Sequence, residues 1–169
     1  GCVDYIGFSY YSSNVVAHHM EGELCDGNIV KGLKNPYLEA SAWGWQIDPD
    51  GLKYLMRTLY DRYQKPIIIA ENGYGSFDEI SEDGKIHDDY RIAYLRSHIQ
   101  AMKEVVEHEH IDLLGYTAWG CIDIVSAGTG EMKKRYGMIY VDRDDAGNGT
   151  NQRKKKDSFA WYQKVISSN

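Results

Sequence analysis

Three stretches of the chain that suit β-strands are each followed by a stretch with helical periodicity. The strand-like stretches are residues 3–11, 67–71 and 113–119, which are rich in β-branched and aromatic side chains. The helical stretches begin at Asp48, Asp88 and Asp157, and their apolar residues recur at intervals of three and four. This alternation predicts an α/β fold with parallel strands and right-handed crossovers. The apolar positions expected to face the sheet from the first two helices are Leu52, Leu55, Met56, Leu59, Tyr60 and Tyr63, and Tyr94, Leu95, Ile99, Met102, Val105 and Val106.

Glu71 lies where the apolar run 67–69 ends, and the turn-forming pair Asn72-Gly73 follows it. Active sites of β/α barrels collect at the carboxyl ends of the strands. A carboxylate at this place is therefore suited to act as a nucleophile or a general base. The alternative is a capping or surface carboxylate without a catalytic role.

The composition is that of one globular domain with a mildly acidic balance. The 169 residues are 43% hydrophobic and 12% aromatic, which is enough to build a packed core. Because the chain has 19 basic and 25 acidic side chains, we expect no binding of nucleic acid through its phosphates. We also expect neither a signal peptide nor a membrane span. Three widely spaced cysteines, Cys2, Cys25 and Cys121, indicate reduced thiols and a cytoplasmic location.

Residues 12–48 form a polar stretch that is far longer than an ordinary connection between a strand and a helix. Loops of this length inside compact domains are usually functional. This one carries Trp43 and Trp45. We therefore expect it to form a wall of a binding cleft.

The number of strand-helix units is too small for a closed barrel. Such a barrel needs eight units and typically about 250 residues, whereas the sequence pattern predicts three. Two arrangements remain open: a small open α/β sheet, or the last part of a barrel whose earlier strands are absent. The first strand begins within three residues of Gly1, with no preceding helix to cover it, and this favours the second arrangement.

Five segments, taken in order, carry a family resemblance. They are DYIGFSYY (4–11), WGWQIDP (43–49), IIAENG (68–73), GYTAW (115–119) and KRYGMIYVD (134–142). Together they resemble the C-terminal part of glycoside hydrolase family 1, and the resemblance extends over essentially the whole chain. One departure is Ala70, where the family more often has Thr, Ser or a larger aliphatic residue.

The resemblance implies that residues 1–169 are the C-terminal portion of one TIM (β/α)8 barrel, namely its sixth, seventh and eighth strand-helix units. Glu71 would be the nucleophile of a retaining β-glycosidase, with the Tyr11 hydroxyl in contact with it. A retaining mechanism needs a second carboxyl group about 5–5.5 Å away. In the family that group lies in an Asn-Glu-Pro motif, which is not in this chain, so we expect the chain alone to be inactive. Asp123 and Glu131 are the nearest substitutes in sequence.

The resemblance also implies a sugar site that accepts a phosphate. Trp119 would stack on the sugar. Family members that act on free sugars carry a Glu-Trp pair soon afterwards, where this chain has Ser126-Ala127. Without that carboxylate, a 6-phosphorylated sugar is no longer repelled. Ser126, Lys134 and Tyr136 resemble the phosphate-binding trio of the 6-phospho-β-glycosidases.

Two finer assignments remain open at this stage. Lys133 could take the place of Lys134 in the trio, because the loop is one residue longer than in some relatives. Ala127 favours a phospho-β-glucosidase over a phospho-β-galactosidase, which tends to have a tryptophan there. The function implied is hydrolysis of 6-phospho-β-D-glucosides in carbohydrate metabolism, without a metal or other cofactor.

Two alternatives come from other functional classes: a non-catalytic sugar-phosphate binder, and a structural fragment that self-associates through exposed barrel edges. Neither the adjacent pair His18-His19 nor the pair His108 and His110 presents one face to a metal, and we expect these histidines at the surface. The basic run 153–156 is interpreted as a solvated linker.

Overall fold

The computed structural model describes residues 2–19, 21–25 and 32–168, and its elements follow the alternation predicted from the sequence. The strands are β1 (Ile6–Ser9), β2 (Leu24–Cys25), β3 (Gly32–Leu33), β4 (Ile67–Asn72), β5 (Leu113–Ala118), β6 (Ile139–Val141) and β7 (Arg153–Lys155). The helices are α1 (Pro49–Tyr63), α2 (Asp89–Glu109) and α3 (Asp157–Ser167). In the described part of the chain, none of the helices combines the length and the apolar character needed to span a bilayer.

One parallel sheet contains β1, β4 and β5, with β4 in the middle. Ile6 of β1 lies opposite Ile67 of β4, and Ile67 lies opposite Leu113 of β5. The parallel arrangement confirms the expectation from the strand-helix order. As far as the structure describes the chain, no further strand pairs with the outer edge of β1 or β5.

The start of α1 is fixed by the sequence that precedes it. The Asp48 carboxylate accepts a hydrogen bond from the Gly51 amide at 2.9 Å and so caps the helix. Pro49 occupies the first turn, where its missing N–H costs nothing. Gly51 is required here, because a Cβ would lie 2.3 Å from the Tyr10 hydroxyl oxygen. That hydroxyl donates to the Asp48 carbonyl at 2.6 Å and ties the helix to the end of β1.

Helices α1 and α2 cover one face of the sheet. The core side chains with no exposed surface are Leu52, Met56, Ile67, Ile69 and Val105. Each contributes roughly 1.5–3 kcal/mol through removal of apolar surface from water. The prediction that Tyr63 and Val106 also face the sheet is wrong, since they are 49% and 37% exposed. Tyr63 is the last residue of its helix, and Val106 borders an open groove beside β5.

The opposite face of the sheet is uncovered. Gly7 and Ser9 of β1, Ala70 of β4 and Thr117 of β5 are exposed on the strands. Parallel sheets occur almost only with both faces covered. An arc of a β/α barrel has this appearance, because its second face belongs to the barrel interior.

The cysteines and histidines singled out in the sequence lie mostly at the surface. Cys2 and Cys121 are free and exposed, whereas the Cys25 side chain lies outside the described part. The paired histidines are exposed: His18, His19, His108 and His110.

The basic run 153–156 is not a solvated linker. Residues 153–155 form β7, which pairs antiparallel with β6. Lys156, which follows, has a side chain with no exposed surface. Its ammonium donates to Asp123 at 2.7 Å and to the Asp78 carboxylate. Burial lowers the pKa of Lys156.

The buried carboxylates are shared with two arginines. The Arg91 guanidinium lies 3.1 Å from the Asp78 carboxylate and also pairs with Asp88. The Arg135 guanidinium lies 3.6 Å from Asp123. The result is a charge-balanced cluster, here called the ion network, of Asp78, Asp88, Asp123, Arg91, Arg135 and Lys156. It joins the loops after β4 and β5 to the starts of α2 and α3.

We expect the Lys156→Met variant to lose about 3–5 kcal/mol of unfolding free energy, because Asp78 and Asp123 would keep buried charges without their cation. The matched control is Lys154→Met, two residues away and exposed, which should change stability by no more than about 0.5 kcal/mol. Urea denaturation measures both. A Lys156→Met variant as stable as the control would show that the ion network does not depend on this lysine.

Candidate active site

Glu71 lies at the carboxyl end of the central strand, as the sequence predicts. Its backbone carbonyl accepts a hydrogen bond from the Tyr10 amide at 2.9 Å, which fixes it against the end of β1. Its Oε2 accepts a hydrogen bond from the Tyr11 hydroxyl at 2.9 Å. Burial, together with this carboxylate, raises the pKa of Tyr11, so the hydroxyl stays protonated and remains a donor. The predicted contact between Tyr11 and Glu71 is confirmed.

Asn72 holds the end of the central strand to its surroundings. Its side chain has no exposed surface; its Nδ2 donates to the Tyr10 carbonyl at 2.7 Å and to the Tyr94 hydroxyl at 2.9 Å. Its Oδ1 accepts from the Tyr116 hydroxyl at 2.9 Å. The Tyr94 hydroxyl in turn donates to the Tyr11 carbonyl at 2.9 Å. Sequence reasoning treated Asn72 only as a turn residue and missed this role.

Trp119 follows β5 and, like Glu71, lies at the carboxyl end of the strands. Its backbone amide donates to the Asn72 carbonyl at 2.7 Å. Gly73 allows the close approach, because a Cβ there would lie 2.6 Å from the Trp119 carbonyl oxygen. The Asn-Gly pair that follows Glu71 therefore serves packing between neighbouring strand ends.

Aromatic rings connect Glu71 to the predicted phosphate trio. Trp45 meets the Tyr11 ring edge to face, with 5.6 Å between centroids. The Tyr136 ring also lies near Trp45, with 6.4 Å between centroids. Trp43 stacks on Phe77 at 4.6 Å. The stretch 12–48 thus supplies Trp45, which contacts the Tyr11 ring, and Trp43, which packs on Phe77.

The structure brings the predicted trio together. The Ser126 hydroxyl lies 3.5 Å from the Tyr136 hydroxyl, and the Lys134 ammonium lies 5.8 Å from the centre of the Tyr136 ring. All three residues are buried, and burial lowers the pKa of Lys134. Lys133 is exposed and pairs with Glu131 at 2.6 Å. Of the two lysines, Lys134 is the one that joins the trio.

Three further predicted residues, Ala127, Asp123 and Glu131, lie in the loop between β5 and β6. Ala127 is exposed beside Ser126. Asp123 is enclosed in the ion network with no exposed side-chain surface, and it also accepts from the Gly137 amide at 2.8 Å. Glu131 is held by Lys133, which lowers its pKa. Asp123, enclosed in the ion network, is therefore wrongly placed to protonate a leaving group. The lowered pKa of Glu131 disfavours the protonated form that a general acid needs.

His98 supports Tyr94 from behind, a role the sequence analysis did not identify. Its ring stacks on Tyr94 at 3.9 Å between centroids, and its Nδ1 donates to the Tyr94 carbonyl at 2.8 Å. Its Nε2 is buried and has no hydrogen-bond partner among the described residues. Burial lowers the pKa of His98 from 6.5 to about 4. The four-residue spacing of Tyr94 and His98, which places both on one helix face, is the sequence signal that could have revealed the pair.

Because the His98 imidazole is buried, we expect the free energy of unfolding to fall in mild acid. The unfolded chain binds a proton at His98 near pH 6.5, whereas the folded chain binds it only near pH 4, so stability falls as the pH falls through that range. This one group should remove about 2 kcal/mol between pH 7 and pH 5. The difference in unfolding free energy between the unaltered protein and a His98→Leu variant, measured in urea at each pH, isolates its contribution. A difference that does not change with pH would contradict a neutral buried His98.

Comparison with known proteins gives a match over the whole chain. The sequence model of glycosyl hydrolase family 1 matches residues 1–169. Aryl-phospho-β-D-glucosidase BglA of Bacillus subtilis is 56% identical over 173 residues, covering 100% of this chain and 36% of that protein. The 6-phospho-β-glucosidase AscB of Escherichia coli is 57% identical over 168 residues, covering 99% of this chain and 35% of that protein.

A solved structure agrees with these sequence matches. The family 1 β-glucosidase from Thermotoga maritima superposes with a TM-score of 0.83 and is 31% identical, over 99% of this chain and 35% of that one. The chain thus spans 35–36% of the length of the proteins named here.

Proposed function

This chain belongs to glycosyl hydrolase family 1, whose β/α-barrel fold its sheet and helices share, and on that premise we propose that it is the C-terminal portion of a retaining 6-phospho-β-glucosidase. In this proposal β1, β4 and β5 are the sixth, seventh and eighth strands of the barrel. Two observations support the view that the chain is one part of a longer barrel: the uncovered sheet face, and the fraction of its relatives that the chain spans.

Glu71 is proposed as the nucleophile. Its carboxylate attacks the anomeric carbon and forms a glycosyl-enzyme, while a second carboxyl group outside this chain protonates the leaving oxygen and then activates water. The Tyr11 hydroxyl, 2.9 Å from Oε2, orients the carboxylate and stabilises its charge. Trp119 is proposed to stack on the sugar from the neighbouring strand end.

The phosphate site is proposed at Ser126, Lys134 and Tyr136. One cation and two hydroxyls suit the charge and the oxygen acceptors of a phosphate. The observation that carries the proposal is the unbroken aromatic connection from Glu71 to these residues through Tyr11 and Trp45. The names of the relatives, aryl-phospho-β-D-glucosidase and 6-phospho-β-glucosidase, agree with it.

Finer points of the proposal rest on single features. Ala127, a small residue beside Ser126, favours a glucoside over a galactoside substrate. The free thiols Cys2 and Cys121 suit a cytoplasmic enzyme. No cofactor, nucleic acid or membrane is part of the proposed reaction, which needs two carboxyl groups and water.

The full-length product of the gene that encodes this chain should hydrolyse a chromogenic aryl β-glucoside 6-phosphate at least about a hundredfold better, in kcat/KM, than the unphosphorylated glucoside. That ratio is what about 3 kcal/mol from a charge-assisted phosphate contact would supply. Equal rates would remove the phosphate site from the proposal. Hydrolysis of neither substrate would favour a binding or structural role.

The same assay tests the nucleophile. We expect Glu71→Gln to abolish turnover and to leave binding of glucose 6-phosphate, measured by calorimetry, within about threefold. Glu79→Gln changes an exposed glutamate on the following loop and should keep full activity. Normal turnover by Glu71→Gln would refute the assignment.

The chain on its own should behave differently. Beside β5 lies an apolar groove of about 650 Å³, lined by residues that include Leu113, Val106 and Ile166, and Leu114 and Ile166 are 55% and 63% exposed. We propose that the remaining strand-helix units of the barrel cover this groove. Residues 1–169 expressed alone should therefore self-associate in sedimentation and show no hydrolysis. A monomer that turned over substrate would contradict both expectations.

A further inference from the structure

Three aromatic rings surround the Lys134 ammonium. Its Nζ lies 4.2 Å from the centre of the Trp45 ring, 5.1 Å from that of Trp43 and 5.8 Å from that of Tyr136. All three distances are within the roughly 6 Å over which a cation is attracted to a ring face, and tryptophan gives the strongest attraction. We call these three rings the aromatic cage.

A tight turn presents both indoles of the cage. The Ser41 hydroxyl accepts hydrogen bonds from the amides of Trp43 and Trp45, each at 3.2 Å. Gly44, between the two tryptophans, has a φ of +76°, a conformation that L side chains rarely adopt. The Ser41 amide and carbonyl bond to Trp45 and Gly44 at 2.8 Å and close the turn. The turn thus holds both rings next to one ammonium.

Aromatic ring faces stabilise a buried ammonium differently from a carboxylate. Lys134 is 3% exposed, and this burial disfavours its charged form. Ring faces offset part of the lost hydration without carrying a charge of their own. The rings therefore stabilise the ammonium without adding a negative charge beside it, as a carboxylate would.

From this geometry we infer that Trp45, together with Trp43, is a specificity-determining positioning residue for phosphorylated substrates. The inference rests on the proposed phosphate site. The two rings hold the Lys134 ammonium, charged and oriented, near the Tyr136 ring, whose hydroxyl lies 3.5 Å from that of Ser126. They act on the substrate's phosphate only through that ammonium.

The test compares kcat/KM of the full-length protein for the aryl β-glucoside with and without its 6-phosphate. Trp45→Leu removes the ring face and should lower the ratio of the two values about 3- to 30-fold, through a higher KM for the phosphorylated substrate. Trp45→Phe keeps a ring and should restore most of the ratio. Because both substrates are measured on one sample, partial misfolding lowers both values and leaves the ratio unchanged.

Two controls separate the inference from its alternatives. Trp161→Leu removes another ring that receives a cation, with the Arg96 guanidinium at 5.6 Å, but it lies on α3 and should leave the ratio unchanged. In a Lys134→Met background, Trp45→Leu should cause no further change in the ratio, since the ring acts through the lysine.

The outcomes distinguish this inference from the proposed function. If Lys134→Met lowers the ratio and Trp45→Leu does not, the inference is wrong and the phosphate site stands. A further drop on adding Trp45→Leu to Lys134→Met would mean that Trp45 contacts the substrate directly, which also overturns it. A ratio near one in the unaltered protein would overturn both the site and the inference.

Discussion

The buried ion network constrains the loops from which the candidate site is built. Asp78 comes from the loop after β4, Asp123 from the loop after β5, and Lys156 from the residue before α3; all three side chains have no exposed surface. A buried pair adds little stability compared with apolar packing, but one missing partner costs several kcal/mol. The network therefore tolerates few alternative positions for these segments.

Two members of the proposed phosphate trio, Lys134 and Tyr136, are placed through their neighbour Arg135, which belongs to this network. Arg135 turns its guanidinium toward Asp123, and its carbonyl accepts from Arg91 at 3.1 Å. Its backbone also bridges antiparallel to Ser76. In extended chain, alternate side chains point to opposite sides, so Lys134 and Tyr136, on either side of Arg135, face the aromatic turn. The ionic cluster on one side thus positions the aromatic cage on the other.

Glu71 is positioned by different means. The apolar core fixes the central strand, and Asn72 ties its end to the ends of β1 and β5 and to α2 through hydrogen bonds. Two parts of the candidate site, a carboxylate on the sheet and a buried lysine on the loops, meet where Tyr11 contacts Trp45. Substrate binding across both parts is what the proposed function requires.

The sequence by itself determined the local features of this protein. The strand-helix alternation, the Asp48 cap and the place of Glu71 at a strand end follow from periodicity and from hydrogen bonds within a few residues. Tertiary structure decided that Lys156 is buried, although the sequence predicts a solvated run there. It also decided that Lys134, rather than Lys133, lies near Tyr136. Asn72, which the sequence indicates only as a turn residue, hydrogen-bonds the ends of neighbouring elements. The reason is that these outcomes depend on partners far along the chain, such as Asp78 for Lys156. A local sequence pattern does not specify which charged side chain becomes buried beside an opposite charge.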